Sequence, residues 1–253
     1  MKKYVMANWK NSKTVEESAA MVRAFSEGEY DLRPFLERTE IVFAPALMAL
    51  PAVSGLCAQS GFGLSAQDMN ETEAYGRVCA RQLSEFCQYA VVGHSAAKKA
   101  HGDSDEQINS KARQAVEHGM HPVICIGENE RQQLLHLTGA VLESQLKQAC
   151  FRLGENEGLV VLYEPVWAMG TGLSLAPESI GILAGKIRTM LRDMFGEATA
   201  RTIRFLYAGS VTADNAAEIC AQRYVDGIAV GSASLEKESF YKIVKAVYDS
   251  CEG

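Results

Sequence analysis

The feature that most constrains this chain is its rhythm. Short β-rich runs return eight times, and the stretches between them carry apolar residues at helical spacing, with no low-complexity linker. The runs are residues 4–8, 41–44, 63–66, 89–92, 122–126, 159–163, 203–207 and 227–230. Between them lie patterns such as 14–25, with Val15, Ala19, Val22 and Phe25 on one helical face, and 177–195, whose Pro177 suits a first helical turn. Eight strand-then-helix units of about 30 residues predict an α/β fold, a closed (β/α)8 barrel, in preference to an open doubly wound sheet. The expectation is one barrel domain spanning residues 1–253.

Composition removes several other classes. The longest uncharged stretch, 41–67, is broken by Pro45, Pro51, Ser54, Gly55, Ser60, Gly61 and Gly63, so it reads as strand, helix and strand and not as a membrane span. The N-terminal MKKYVMANWK runs directly into a strand pattern without the apolar core of a signal peptide, which places the expectation in the cytoplasm. Seven cysteines without a C-x-x-C pair suggest buried free thiols and neither a zinc knuckle nor a complete disulfide framework. A net charge of −6 with no basic run argues against a nucleic-acid partner. Any anionic ligand must therefore be held by local groups.

A barrel of this kind builds its site from loops at the C-terminal ends of the strands. The polar residues there are Asn8, Lys10, Gln67, His94, Ser95, Glu128, Glu164, Gly209, Ser210, Gly231 and Ser232. A lysine, a histidine and a carboxylate on one rim form an acid, base and electrostatic set, and no metal-ligand spacing occurs among them. Lys10, directly after the first strand, is placed where a cation holds an anionic substrate and a developing oxyanion.

The segment Tyr163-Glu164-Pro165-Val166-Trp167-Ala168-Met169-Gly170-Thr171-Gly172 is the most informative. A carboxylate at a strand end is followed by a stiffening proline, a large aromatic and a small tip with two glycines. That is the pattern of a hinged lid, Pro165 to Gly172, beside a general base; closure excludes water. The loops Ala208-Gly209-Ser210 and Val230-Gly231-Ser232 follow the seventh and eighth strands, where barrels hold phosphate on backbone N–H groups. No P-loop or G-x-G-x-x-G occurs, so the expected ligand is a phosphate group and not a nucleotide. His118 precedes Gly119 at an expected helix end, and His101, His121 and His136 lack evident catalytic partners.

Taken in order, Ala7-Asn8-Trp9-Lys10, Gly93-His94-Ser95, Gly102-Asp103-Ser104-Asp105, Cys125-Ile126-Gly127-Glu128, the segment from Tyr163 to Gly172, Gly209-Ser210-Val211, Val225-Asp226-Gly227 and Ala233-Ser234-Leu235 span essentially the whole chain. In these motifs the sequence resembles the triosephosphate isomerase family. The resemblance implies a TIM barrel that interconverts dihydroxyacetone phosphate and D-glyceraldehyde 3-phosphate without metal or organic cofactor. It implies that Glu164 moves the proton, that neutral His94 polarises the carbonyl, and that Lys10 and Asn8 stabilise the enediolate oxygen and the phosphate. Gly170, Ser210, Gly231 and Ser232 are implied to bind phosphate through their amides. A homodimer is also implied, with the loop from Asp68 to Arg77 reaching into the partner.

The departures from the family pattern lie close to the site. Ala96 and Ala97 stand where Glu and Arg follow Gly-His-Ser, and that glutamate buttresses the lysine in the family. Looser support of Lys10 is expected to cost about 1–3 kcal/mol of transition-state stabilisation. Leu173-Ser174-Leu175 alters the far hinge, Ala208 and Ser232 replace glycines, Ala229 replaces a bulkier wall residue, and the loop carrying Ala74-Tyr75-Gly76-Arg77 is short and changed. These leave two alternatives: an isomerase of another short sugar phosphate such as a tetrulose phosphate, or a non-catalytic barrel that binds a phosphorylated metabolite.

Overall fold

In the computed structural model, which describes residues 2–73, 75–154 and 158–252, the periodic runs become strands of a closed parallel barrel. Its order is β1-β2-β3-β4-β5-β6-β7-β8, with β8 pairing back onto β1. The strands are β1 (Lys3–Asn8), β2 (Thr39–Ala44), β3 (Gly63–Ala66), β4 (Tyr89–Val92), β5 (His121–Ile126), β6 (Val160–Tyr163), β7 (Arg204–Ala208) and β8 (Gly227–Val230). The helices are α1 (Val15–Ser26), α2 (Leu50–Ser60), α3 (Ala80–Leu83), α4 (Ser95–His101), α5 (Asp105–Glu117), α6 (Glu130–Leu134), α7 (Thr138–Ala149), α8 (Pro177–Thr202), α9 (Ala213–Ala221) and α10 (Lys237–Asp249). The stretch 41–67 is indeed strand, helix and strand, and among the described residues no helix is long and apolar enough to cross a membrane.

The two-residue period of each strand splits the core in two. One set points into the barrel: Met6, Val42, Val91, Cys125, Leu162, Leu206 and Ala229 pack there with their neighbours. The alternate set, including Val5, Phe43, Val92, Ile124, Val161, Phe205 and Ile228, faces the helices and meets Phe25, Leu142, Ile187 and Ile243. Each large apolar side chain so removed from water contributes about 1.5–3 kcal/mol.

Local signals set the helix ends. Thr14 caps α1 reciprocally: its hydroxyl accepts from the Glu17 N–H at 3.2 Å while the Glu17 carboxylate accepts from the Thr14 N–H at 2.8 Å. The buried face of α1 is Ser18, Ala19, Met21, Val22 and Phe25. Val15, expected on that face, is 41% exposed, so the apolar stripe begins one turn later. The helix expected over 177–195 does break after Phe195, at Gly196 (φ 79°, ψ 167°), but a further helical stretch carries α8 on to Thr202. His118 caps α5 before left-handed Gly119, as its position suggested. Six cysteines are buried free thiols, whereas Cys251 is only partly covered.

Candidate active site

β1 delivers Asn8 to the rim and then turns sharply. Trp9 is buried, while Lys10 is exposed and adopts a left-handed backbone (φ 49°). The Asn8 side-chain oxygen accepts from the Lys10 N–H at 3.0 Å. Gln67, just past β3, donates to the Lys10 carbonyl at 2.7 Å and to the Ala44 carbonyl at 2.9 Å. Among the described residues the Lys10 ammonium makes no ion pair, and residue 96 is an alanine that offers it no carboxylate.

Across the rim, β4 ends at Gly93 and His94 becomes the N-cap of α4. Its Nδ1 accepts the Ala96 N–H at 3.1 Å, so the neutral ring carries its proton on Nε2. Nε2 lies 3.3 Å from Glu164 Oε2. Glu164, at the end of β6, is 2% exposed, and its Oε1 accepts the Ser95 N–H at 2.6 Å. Burial raises the carboxyl's pKa above its ordinary value, against the opposing pull of His94, the Ser95 hydrogen bonds and Lys98. A half-satisfied, desolvated carboxylate beside an imidazole N–H can chemically serve as a proton acceptor next to a hydrogen-bond donor.

The segment expected to form a lid follows β6. Pro165 leads into a 3-10 helix, Val166–Ala168, and then Met169, Gly170 (φ 75°), Thr171 and Gly172 (φ 81°). Its near end is tied to Glu128: the Trp167 indole N–H donates to that carboxylate at 2.9 Å and the Tyr163 hydroxyl at 3.2 Å. The Val166 N–H also donates to the Glu128 carbonyl at 3.1 Å. Its far end is tied to Tyr207, whose hydroxyl accepts the Leu175 N–H at 3.2 Å and lies 3.2 Å from the Ser174 hydroxyl. The span between these two ties is short and glycine-containing, which is what a hinged segment needs.

Beside this segment, on the neighbouring strands, the loops after β7 and β8 have their carbonyl groups engaged. The Ser210 carbonyl accepts from Asn215 Nδ2 at 2.9 Å, and the Gly231 carbonyl accepts from the Ser234 hydroxyl at 2.6 Å. The N–H groups of Gly170, Ser210, Gly231 and Ser232 have no intramolecular acceptor among the described residues. Spare donors from loops at one end of the barrel suit an anion. Ala208 sits as an ordinary buried residue at the end of β7, and Ser232 is exposed.

Asn8, Lys10, His94, Glu164, Gly170, Ser210, Gly231 and Ser232 all lie at, or in the loops after, the C-terminal ends of the strands. Three contributors were not assigned roles: Glu128 as the anchor of Tyr163 and Trp167, Gln67 as a clamp on the Lys10 backbone, and Tyr207 at the far hinge. Their rim positions were visible for Glu128 and Gln67; their partners were not. In the altered loop, Ala74 lies outside the described residues, Tyr75 is fully exposed, and Arg77 donates to the Asn70 side chain at 3.2 Å.

Compared with known families, residues 3–247 match the one described as triosephosphate isomerase. A triosephosphate isomerase of Chloroflexus aurantiacus is 34% identical over 246 residues, covering 95% of this chain and 97% of the relative. One from Clostridium botulinum (strain ATCC 19397 / Type A) is 35% identical over 248 residues, with 95% and 97% covered. One from Coxiella burnetii (strain Dugway 5J108-111) is 38% identical over 249 residues, with 94% of each chain covered.

Proposed function

The chain belongs to the triosephosphate isomerase family, and we propose that it interconverts dihydroxyacetone phosphate and D-glyceraldehyde 3-phosphate through an enediolate, with Glu164 as the base. The observation that carries the assignment of roles is the Glu164 carboxylate: buried, at a strand end, 3.3 Å from a histidine nitrogen that must be a donor when neutral.

In the proposed reaction the substrate phosphate rests on the N–H groups of Gly170, Ser210, Gly231 and Ser232. Glu164 takes the proton from C1 of dihydroxyacetone phosphate. The C–H electron pair forms the C1–C2 double bond, and the C2 carbonyl oxygen becomes an oxyanion. His94 Nε2–H and the Lys10 ammonium stabilise that charge, with Asn8 beside them; His94 shuttles the hydroxyl proton between the two oxygens. Protonated Glu164 then delivers its proton to C2 and leaves the aldehyde at C1. The hydrogen bond from Ser95 lowers the basicity of Glu164, so giving it up for substrate strengthens the base when it is needed. The lid from Pro165 to Gly172 closes over the intermediate and keeps water out. All of these steps are carried by side chains and backbone amides, with no cofactor invoked.

The test is a coupled assay across triose and tetrose phosphates. Interconversion of the trioses, faster than that of tetrulose phosphates, is expected. A folded sample without triose turnover above background would overturn the reading, and faster turnover of a four-carbon substrate would shift it to a sister activity.

A cytoplasmic homodimer belongs to the same proposal. Its interface would use the loop from Asp68 to Arg77, where Tyr75 is fully exposed, together with Met48, which is 78% exposed. Sedimentation is expected to give twice the 27.5 kDa chain mass; a monomer at micromolar concentration would exclude it.

A further inference from the structure

We infer that Gln67 is a positioning residue for Lys10, acting as a clamp on its main chain; this rests on the proposed role of Lys10. The Lys10 ammonium is exposed and makes no ion pair among the described residues, so no salt bridge sets where its charge sits. Its location follows from its backbone. That backbone is left-handed at φ 49°, a conformation that a residue with a Cβ adopts only when its surroundings impose it.

Two side chains impose it. Asn8 accepts the Lys10 N–H at 3.0 Å, and Gln67 donates to the Lys10 carbonyl at 2.7 Å. The Gln67 amide also donates to the Ala44 carbonyl at 2.9 Å, and the same carbonyl accepts the Trp9 N–H at 3.1 Å. One primary amide, with its two N–H donors, therefore ties the ends of β1, β2 and β3 together. Gln67 is itself well anchored. Its neighbour Asp68 accepts from Lys111 Nζ at 2.9 Å, and that ammonium, 2% exposed, also holds Asp103 at 2.6 Å. A buried ion network thus fixes the chain that carries the clamp.

The chemistry narrows what can replace glutamine here. A glutamate has no N–H and would set a carboxylate against two carbonyl oxygens; an asparagine is one methylene too short to reach both. Methionine matches the volume of glutamine without a donor. If the clamp is released, Lys10 relaxes from its left-handed backbone and its ammonium moves away from the oxyanion and phosphate.

The experiment compares Gln67→Met, Lys10→Ala and the double variant in full-length protein. Steady-state kcat/KM for dihydroxyacetone phosphate and calorimetric affinity for glycerol 3-phosphate are measured together with thermal midpoints. Gln67→Met is expected to lower kcat/KM by roughly ten- to a hundredfold, as a misplacement of about 1 Å in a catalytic group does. Its effect on glycerol 3-phosphate affinity should vanish in the Lys10→Ala background, to within about twofold. An undiminished loss in that background would show that Gln67 acts on the fold at large and would overturn the inference. Unchanged activity in Gln67→Met, with Lys10→Ala inactive, would overturn it as well while leaving the proposed function intact. Full activity in Lys10→Ala would instead remove the role of Lys10. Should Gln67→Met fold poorly, Gln67→Asn makes the same comparison with polarity retained.

Discussion

Glu164→Gln is expected to lower kcat by about three to four decades, the upper range for loss of a positioned general base, while glycerol 3-phosphate binds within a factor of a few of the native affinity. The amide keeps the shape of the carboxylate and still meets the Ser95 N–H through its oxygen, so the pocket is preserved and only the proton acceptor is lost. The two measurements separate chemistry from binding. Native turnover in the variant would show that another group takes the proton. An equal collapse of binding would show that the substitution disturbs the pocket and would leave the carboxylate without its assigned task.

The same substitution carries a pH consequence with a definite sign. Burial raises the folded-state pKa of Glu164 above its ordinary value. The acid limb of kcat/KM in the native enzyme should therefore fall above the pH of about 4.3 expected for an unperturbed glutamate, and the limb should be absent from the residual activity of Glu164→Gln. For stability, a raised carboxyl pKa means that the folded protein holds the proton more tightly than the unfolded chain. The stabilising contribution is fully present below the unfolded value and is lost as pH rises through the folded one. When ionised, the carboxylate is thus a desolvated charge, with Oε2 lacking a well-formed hydrogen bond. Glu164→Gln should leave the neutral-pH melting temperature unchanged or raised, an expected trade of stability for activity. A lower melting temperature would mean that the charge contributes more through His94 and Ser95 than it loses to burial.

The barrel is legible because its signals are local. Period-two alternation and intervening helical spacing need only a window of a few residues, so the strand runs agree with the structure to within two residues at each end. Asn8, Lys10, His94 and Glu164 are legible for a second reason: in a barrel, a polar residue at a strand's C-terminal end is already placed on the rim. Neither argument reaches across the ring. The bond from Ser95 to Glu164 joins residues 69 apart, and that from Gln67 to Lys10 joins residues 57 apart. Whether Glu128 faces solvent or receives Tyr163 and Trp167 depends on how β5 and β6 are registered, which no single stretch of sequence specifies. Val15 shows the opposite limit, since its spacing fits the helical stripe although it opens the helix and stays exposed.

Gly127→Ala is expected to reduce kcat by about a hundredfold or more, through displacement of Glu164 and not through loss of any reacting group. Gly127 follows β5 directly, and a Cβ there would lie 1.8 Å from the Glu164 carbonyl oxygen and 2.9 Å from its carbonyl carbon. Its φ is not in the left-handed region, so glycine is required here by proximity of two backbones. Neither backbone can yield freely. Gln145 brackets Gly127, accepting its N–H at 2.9 Å and donating to its carbonyl at 3.0 Å. On the other side the Glu164 N–H donates to the Ile126 carbonyl at 2.9 Å, and the Val166 N–H to the Glu128 carbonyl at 3.1 Å. A methyl group must therefore push the end of β6 away, carrying the base and the root of the lid with it. Gly139→Ala, in α7 where an added Cβ meets nothing within 4 Å, provides the control and should leave kcat and melting temperature near native. Gly127→Ala should also melt at lower temperature, and the two effects are separable: kcat measured well below the melting transition reports the displaced base, because destabilisation alone leaves turnover per folded molecule unchanged. Native kcat in folded Gly127→Ala would show that the ends of β5 and β6 can part without moving the carboxylate, and that the fixed distance between His94 and Glu164 is not what the reaction depends on.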